Sequence, residues 1–244
     1  MKIPMKENCT SPVEVAITFS VPFENPGLGW DNTTPSNGKS MRHELWYLGI
    51  GRPTATAILA AHLLRAHTAQ PARTPRLLVI AGFAGALHPQ IRIGDVFLCA
   101  NMSDSPLIQT LLERGWTPPP SANLHTSEEL VASSAQKKHL RRLTGSDLVD
   151  METRFLLEIA RFHSIPVITI RVVSDDATMD FPVPEHILYN RQRQCTRPLA
   201  LCAYLAIHPR RIPGFMGMLK ASLRARAQLG PHLRALLQAA STVI

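Results

Sequence analysis

Nothing acidic follows Glu185. Residues 186–244 hold nine of the chain's 26 lysines and arginines and none of its 18 aspartates and glutamates, so the net charge of +8 comes from the C-terminal region. That asymmetry predicts an anionic partner for the tail. Cysteine is scarce and scattered: Cys9, Cys99, Cys195 and Cys202 make no Cys-x-x-Cys pair and have no paired histidines beside them. This excludes a disulfide framework or zinc site and suits reduced thiols in a cytoplasmic protein. The ten histidines form no metal-ligand spacing, so neither metal nor cofactor is expected. No apolar run reaches the roughly 18 residues of a membrane span, and Met1–Asn8 lacks the apolar core of a signal peptide. Aromatics make up only 6% of the chain, and the basic tail has just Tyr189, Tyr204 and Phe215. With no nucleic-acid motif present, the tail is not expected to bind nucleic acid.

The 244 residues are 45% hydrophobic, enough for one α/β domain with a sizeable core. Val13–Phe19 alternates and predicts a first strand; residues 22–40, rich in Pro, Gly, Asn, Ser and Thr, predict a loop. His43–Gly49 predicts a strand, and Pro53 suits the start of a helix over Thr54–His67. Arg76–Ala81 and Val96–Ala100 predict further strands, residues 103–126 a variable surface segment, and Glu128–Ser133 another strand. Gln136–Leu143 predicts a helix whose Lys137, Lys138, Arg141 and Arg142 form a solvated face. Pro198–Ala206 and Phe215–Leu237, with a break at Gly230–Pro231, predict amphipathic helices with a basic face. Alternating strands and helices predict a mostly parallel sheet covered on both sides. Residues 1–185 form the expected catalytic core, and residues 186–244 a basic helical extension packed on the same domain.

Chemistry concentrates in Asp150-Met151-Glu152 and in Arg171-Val172-Val173-Ser174-Asp175. A helical run, Thr153–His163, and an apolar strand, Val167–Ile170, separate them. Ligands of open α/β sheets bind beyond the carboxyl ends of strands, so both acidic clusters belong on one rim. These residues resemble the purine and uridine phosphorylase superfamily, above all its nucleosidase branch, with a Met-Glu pair before a helix and a Ser-Asp pair after the next strand. Gly49-Ile50-Gly51, the glycine-rich Ala81-Gly82-Phe83-Ala84-Gly85-Ala86 and Ile93-Gly94-Asp95-Val96 follow the same ordered pattern. The resemblance covers most of residues 13–185 and implies a three-layer α/β/α fold with a mostly parallel, partly mixed central sheet plus C-terminal helices.

It also implies roles. Asp175 is the candidate acid for the purine N7, oriented by Ser174; Asp176 should point the other way by strand alternation. Arg171 shares the alternation parity of Asp175 and is given a structural role. Glu152 would hold the ribose hydroxyls and place negative charge near the forming cation, with Met151 packing under the sugar. Capping and helix-dipole roles for Asp175 and Glu152 compete with these assignments. Ala81 and Gly82 would line the ligand through their backbone, and Phe83 would stack on the base or serve as a core aromatic. Phosphorolytic relatives carry an arginine where this chain has Ile80, which favours hydrolysis, although Arg52 could reach the site. Glu24, after the first strand, matches the nucleosidases' water-activating glutamate, with a plain loop role as the alternative.

The tail resembles that of the hopanoid-associated phosphorylases. That likeness implies adenine release from adenosylhopane, a lipid-linked nucleoside, and a peripheral position at the inner face of an anionic membrane. Small 5′-modified nucleosides of the methylthioadenosine, S-adenosylhomocysteine or futalosine type, phosphorolysis, and a non-catalytic nucleoside sensor are the competing readings. A homo-oligomer is expected from the resemblance.

Overall fold

A computed structural model describes residues 14–28, 42–69, 74–190 and 192–244. Val13, Cys9 and most of the expected 22–40 loop lie outside these residues. The elements run β1 (Val15–Phe19), β2 (His43–Tyr47), α1 (Arg52–Ala69), β3 (Leu77–Ala86), β4 (Val96–Leu98), α2 (Ser105–Glu113), β5 (Leu124–Thr126) and α3 (Ser134–Thr144). They continue with β6 (Leu148–Asp150), α4 (Thr153–Phe162), β7 (Val167–Asp175), α5 (Glu185–Leu188), β8 (Tyr189–Asn190), β9 (Cys195–Thr196), α6 (Pro198–Ile207) and α7 (Ile212–Ala240).

The long apolar β3 organises a mixed sheet. Its first half pairs in parallel with β1, which carries β2 on its other edge, and nearly its whole length pairs in parallel with β7. Its last residues, Gly85 and Ala86, pair antiparallel with β6, which in turn holds β5; β4 runs antiparallel to β7. Continuous burial of Leu77–Ala81 is what a strand covered on both faces requires. On one face Val79, Ile17 and Ile170 meet Ala225, Leu229, Leu233 and Leu236 of α7; on the other, Leu78 and Ile80 meet Leu59 of α1 and Leu156 of α4. The architecture is the expected three-layer α/β/α fold.

Three local expectations are corrected. Residues 103–126 are not merely surface: Asp104 accepts a bond from the Leu107 N–H at 3.0 Å and starts α2, Leu111 and Trp116 are buried, and β5 follows. Residues 128–133 form a loop leading to the Ser133 cap of α3 rather than a strand. No break occurs at Gly230–Pro231, because Leu229, Leu233, Leu236 and Leu237 are all buried and hold α7 together through the proline.

Candidate active site

β1 ends near the middle of β3, while β3 and β7 run on together to Gly85 and Asp175; the acidic residues gather along this end of the sheet, Glu24 after β1, Asp150 and Glu152 at the end of β6, and Asp175 at the end of β7. Glu24 closes a short 3₁₀ turn, Pro22–Glu24, immediately after β1. Its Oε2 accepts from the Ser20 N–H at 2.8 Å and its Oε1 from the Phe83 N–H at 3.2 Å, which pins the carboxylate against the glycine turn of β3. Burial pushes its pKa above the ordinary value; the charge of Arg171 and the backbone donors only partly oppose this.

Arg171 lies in the middle of β7 and is almost wholly buried. Its Nη2 donates to Asp150 Oδ2 and to Thr153 Oγ1, each at 2.6 Å, and Thr153 donates to the same carboxylate. Burial alone would lower the arginine's pKa, but Asp150, Glu24 and Glu152 outweigh it and raise the value. Gly82 makes the approach of these groups workable. Its φ is +143°, and a Cβ there would lie 2.7 Å from Arg171 Nη1 and 2.9 Å from Glu24 Oε2. A hydrogen-bond donor and a carboxylate therefore flank one small space that only glycine leaves open.

Glu152 precedes α4. Its Oε1 accepts from the Gly51 N–H at 2.8 Å and its Oε2 from Ser20 Oγ at 3.4 Å. Burial first, then the charge of Asp150, pushes its pKa up to about 7, against the pull of the Gly51 N–H and Arg171. Asp150 thus serves both clusters: it holds Arg171 and borders a cavity of about 50 Å³ that Gly85, Met151, Asp175 and Phe181 also line.

Asp175 ends β7. Ser174 Oγ donates to its Oδ1 at 2.7 Å, and Lys137 Nζ contacts its Oδ2 at 2.5 Å. The same ammonium donates to the backbone oxygens of Asp176 at 2.6 Å and Met179 at 3.3 Å, so all three of its protons are used. Lys137 is fully buried and sits 5.9 Å from the Phe181 ring centre, which corrects the expectation of a solvated face. Asp176 instead binds Thr178.

Shared facing of Arg171 and Asp175 is also corrected. The β3–β7 register shifts by one residue between Ala84 and Gly85, so Gly85 pairs with Asp175 and Ser174 is the extra residue. A bulge of this kind flips the alternation beyond it, which gives Arg171 to Asp150 and Asp175 to Lys137. Close packing at Gly85, where a Cβ would lie 2.9 Å from Asp175 Oδ2, fixes the carboxylate.

The other expected residues are placed as follows. Ala81 is buried in the core, Phe83 is half-buried with an edge-on contact to Phe23, and Ile80 packs with Leu78 and Leu156. Arg52 is held by Glu128 at 2.8 Å and lies over the Phe155 ring. Sequence reasoning missed the pairing of Lys137 with Asp175 and of Arg171 with Asp150. Their partners lie 38 and 21 residues away along the chain, beyond any local pattern. Among the described residues, no three His, Cys, Asp or Glu side chains group as a metal site.

Strand-end carboxylates thus gather on a mixed sheet between two helical layers. Residues 123–206, from β5 through most of α6, match the sequence model of the Phosphorylase superfamily. The fold is similar to the futalosine hydrolase of Helicobacter pylori strain 26695, with a TM-score of 0.61 and 12% identity over 92% of this chain and 97% of that one. It is similar to the H. pylori 5′-methylthioadenosine/S-adenosyl homocysteine nucleosidase, with a TM-score of 0.61 and 12% identity over 93% and 99% of the two chains. The Streptococcus pneumoniae 5′-methylthioadenosine/S-adenosylhomocysteine nucleosidase, with a transition-state inhibitor, superposes with a TM-score of 0.59 and 16% identity over 93% and 99%. No curated protein matches the chain by sequence.

Proposed function

We propose that the protein cleaves the N-ribosyl bond of an adenine nucleoside with water as the nucleophile. The observation that carries this reading is the convergence of Glu24 and Arg171 on the space beside Gly82, with Glu152 next to them and Asp175 across the rim. Glu24 would take a proton from water, and the water oxygen would attack the anomeric carbon as its bond to the base breaks. Arg171 would orient that water through Nη1 while Asp150 holds the guanidinium. Glu152 would accept bonds from the ribose hydroxyls and face the developing positive charge. Asp175, oriented by Ser174, would relay a proton from the Lys137 ammonium to the departing purine, leaving Lys137 a neutral amine, and Met151 would pack against the ligand beside it. Ile80 lies in the core, and the carboxylates of Asp150, Glu24 and Glu152 around Arg171 oppose a phosphate there, while Arg52 is paired with Glu128.

The basic tail favours a nucleoside joined through its 5′ carbon to a lipid, as in adenosylhopane, and a protein attached peripherally to the inner face of a membrane. Small 5′-modified nucleosides form the second reading, supported by the nucleosidases and futalosine hydrolase of similar fold. The test is adenine release from a panel of 5′-substituted adenosines, with and without inorganic phosphate. Release that depends on phosphate would overturn the hydrolytic reading, and absence of release from every nucleoside would overturn the enzymatic one.

A further inference from the structure

Between Gln192 and Lys220 no residue of the chain is buried, although the segment is rich in apolar side chains. Its centre is α6, Pro-Leu-Ala-Leu-Cys-Ala-Tyr-Leu-Ala-Ile, a helix apolar on every side. Leu199 is 85% exposed and Ile207 73% exposed, while Ile212 and Met216 at the start of α7 are also exposed. A helix apolar all round is ordinarily buried. Among the described residues, nothing buries this one. It is far too short to cross a bilayer, since ten residues rise roughly 15 Å.

Charge chooses the occupant. Arg197 precedes α6, Arg210 and Arg211 follow it, and Lys220 and Arg224 continue along α7, with no acidic residue anywhere beyond Glu185. In a two-fold contact between copies the same patch meets itself, and the arginines of α6 and α7 would then face one another with no carboxylate from their own segment to offset them, Glu185 of the adjoining α5 being the nearest acid in the chain. An anionic lipid surface supplies both missing partners: acyl chains for the leucines and isoleucines, and phosphates for the arginines.

The patch is tied to the candidate site. Gln194, at the tip of the β8–β9 hairpin that leads into α6, accepts from the Ile50 N–H at 2.9 Å and donates to the Ile50 oxygen at 3.1 Å. The next residue, Gly51, donates to Glu152. A helix seated on lipid would therefore be linked by direct contacts to the glutamate assigned to the sugar.

We infer that α6 and the first turns of α7 form a docking surface for an anionic membrane, next to the ribose end of the site. Docking itself stands apart from the proposed reaction; only its consequence for substrate, a hydrocarbon 5′ substituent drawn from that membrane, rests on that reading. The test is co-sedimentation of the full chain with vesicles of phosphatidylcholine alone and of phosphatidylcholine mixed with phosphatidylglycerol, at low and high salt. Wild type should bind the mixed vesicles, and binding should fall with salt. Arg210→Gln and Arg211→Gln should each weaken partitioning about fivefold. The double variant Leu199→Glu/Ile207→Glu, altered only at exposed positions, should lose it while retaining the circular dichroism spectrum and any base release from soluble nucleosides.

Equal binding to both vesicle types, binding to neither, or undiminished binding by the double variant would overturn the inference. So would conversion by that variant of a dimer to a monomer without any vesicle binding by wild type, which would make the patch a subunit contact. Vesicle binding with no base release would leave docking standing and sink the proposed reaction; base release without vesicle binding would do the reverse.

Discussion

Lys137 Nζ lies 2.5 Å from Asp175 Oδ2, with the lysine side chain 0% and the aspartate 7% exposed. Neither charge has water to fall back on, so each depends on the other. Removing one partner of such a pair typically costs about 3–5 kcal/mol, whereas replacing both can be nearly neutral.

Asp175→Asn should therefore abolish base release and also destabilise the fold. Lys137→Met should destabilise to a similar degree. The double variant should recover most of the stability in urea unfolding and none of the Asp175-dependent activity. Additive losses in the double variant would mean the two residues are not coupled.

Glu24→Gln should lower the rate about 10²–10⁴-fold, the usual contribution of a positioned base. Burial holds the wild-type Glu24 above the ordinary 4.5. A base acts when ionised, so kcat/KM should fall as pH drops through that raised value, and its acid limb should sit above 4.5. A profile flat down to pH 4.5 would remove Glu24 from the role.

Glu152→Gln should reduce the preference for ribosides over 2′-deoxy analogues. It should also change stability with pH. An acid raised from 4.5 to about 7 contributes stability that is fully present below 4.5 and lost as pH rises through about 7. The melting temperature of wild type should fall over that window relative to Glu152→Gln, and the gap should close below it. Parallel melting curves of the two proteins across the window would contradict the burial of this carboxylate.

Gly82→Ala should be far more damaging than its size suggests. The methyl group would press on Arg171 and Glu24 from a backbone conformation that suits only glycine. Loss of base release is expected together with a lowered melting temperature. A variant with wild-type turnover would show that the space beside Gly82 is not used by the nucleophile.

The fold was largely legible because its strands are uninterrupted apolar runs bounded by polar turns. Leu77–Ala81 and Val167–Ile170 announce themselves as buried strands, and the acidic residues fall where those runs stop. The network around them was harder to read. Lys137 sits among Lys138, Arg141 and Arg142, and only packing against a loop nearly forty residues onward separates it from its exposed neighbours. Strand alternation placed Arg171 beside Asp175, and one extra residue at Ser174 undid the inference. Glu24 was visible only as an acid after the first strand, because its orientation depends on the N–H of Phe83, 59 residues away.

Glu24, Asp150 and Glu152 surround a single guanidinium, that of Arg171. Three acids around one base leave an excess of negative potential at the end of the sheet, which the raised values of Glu24 and Glu152 reduce by retaining protons. As pH rises and those protons leave, the excess grows. The hollow then becomes steadily less hospitable to inorganic anions, while a sugar turning cationic as it loses its base becomes steadily better matched. The same excess of carboxylates would thus act as a filter, turning away dianions and admitting water.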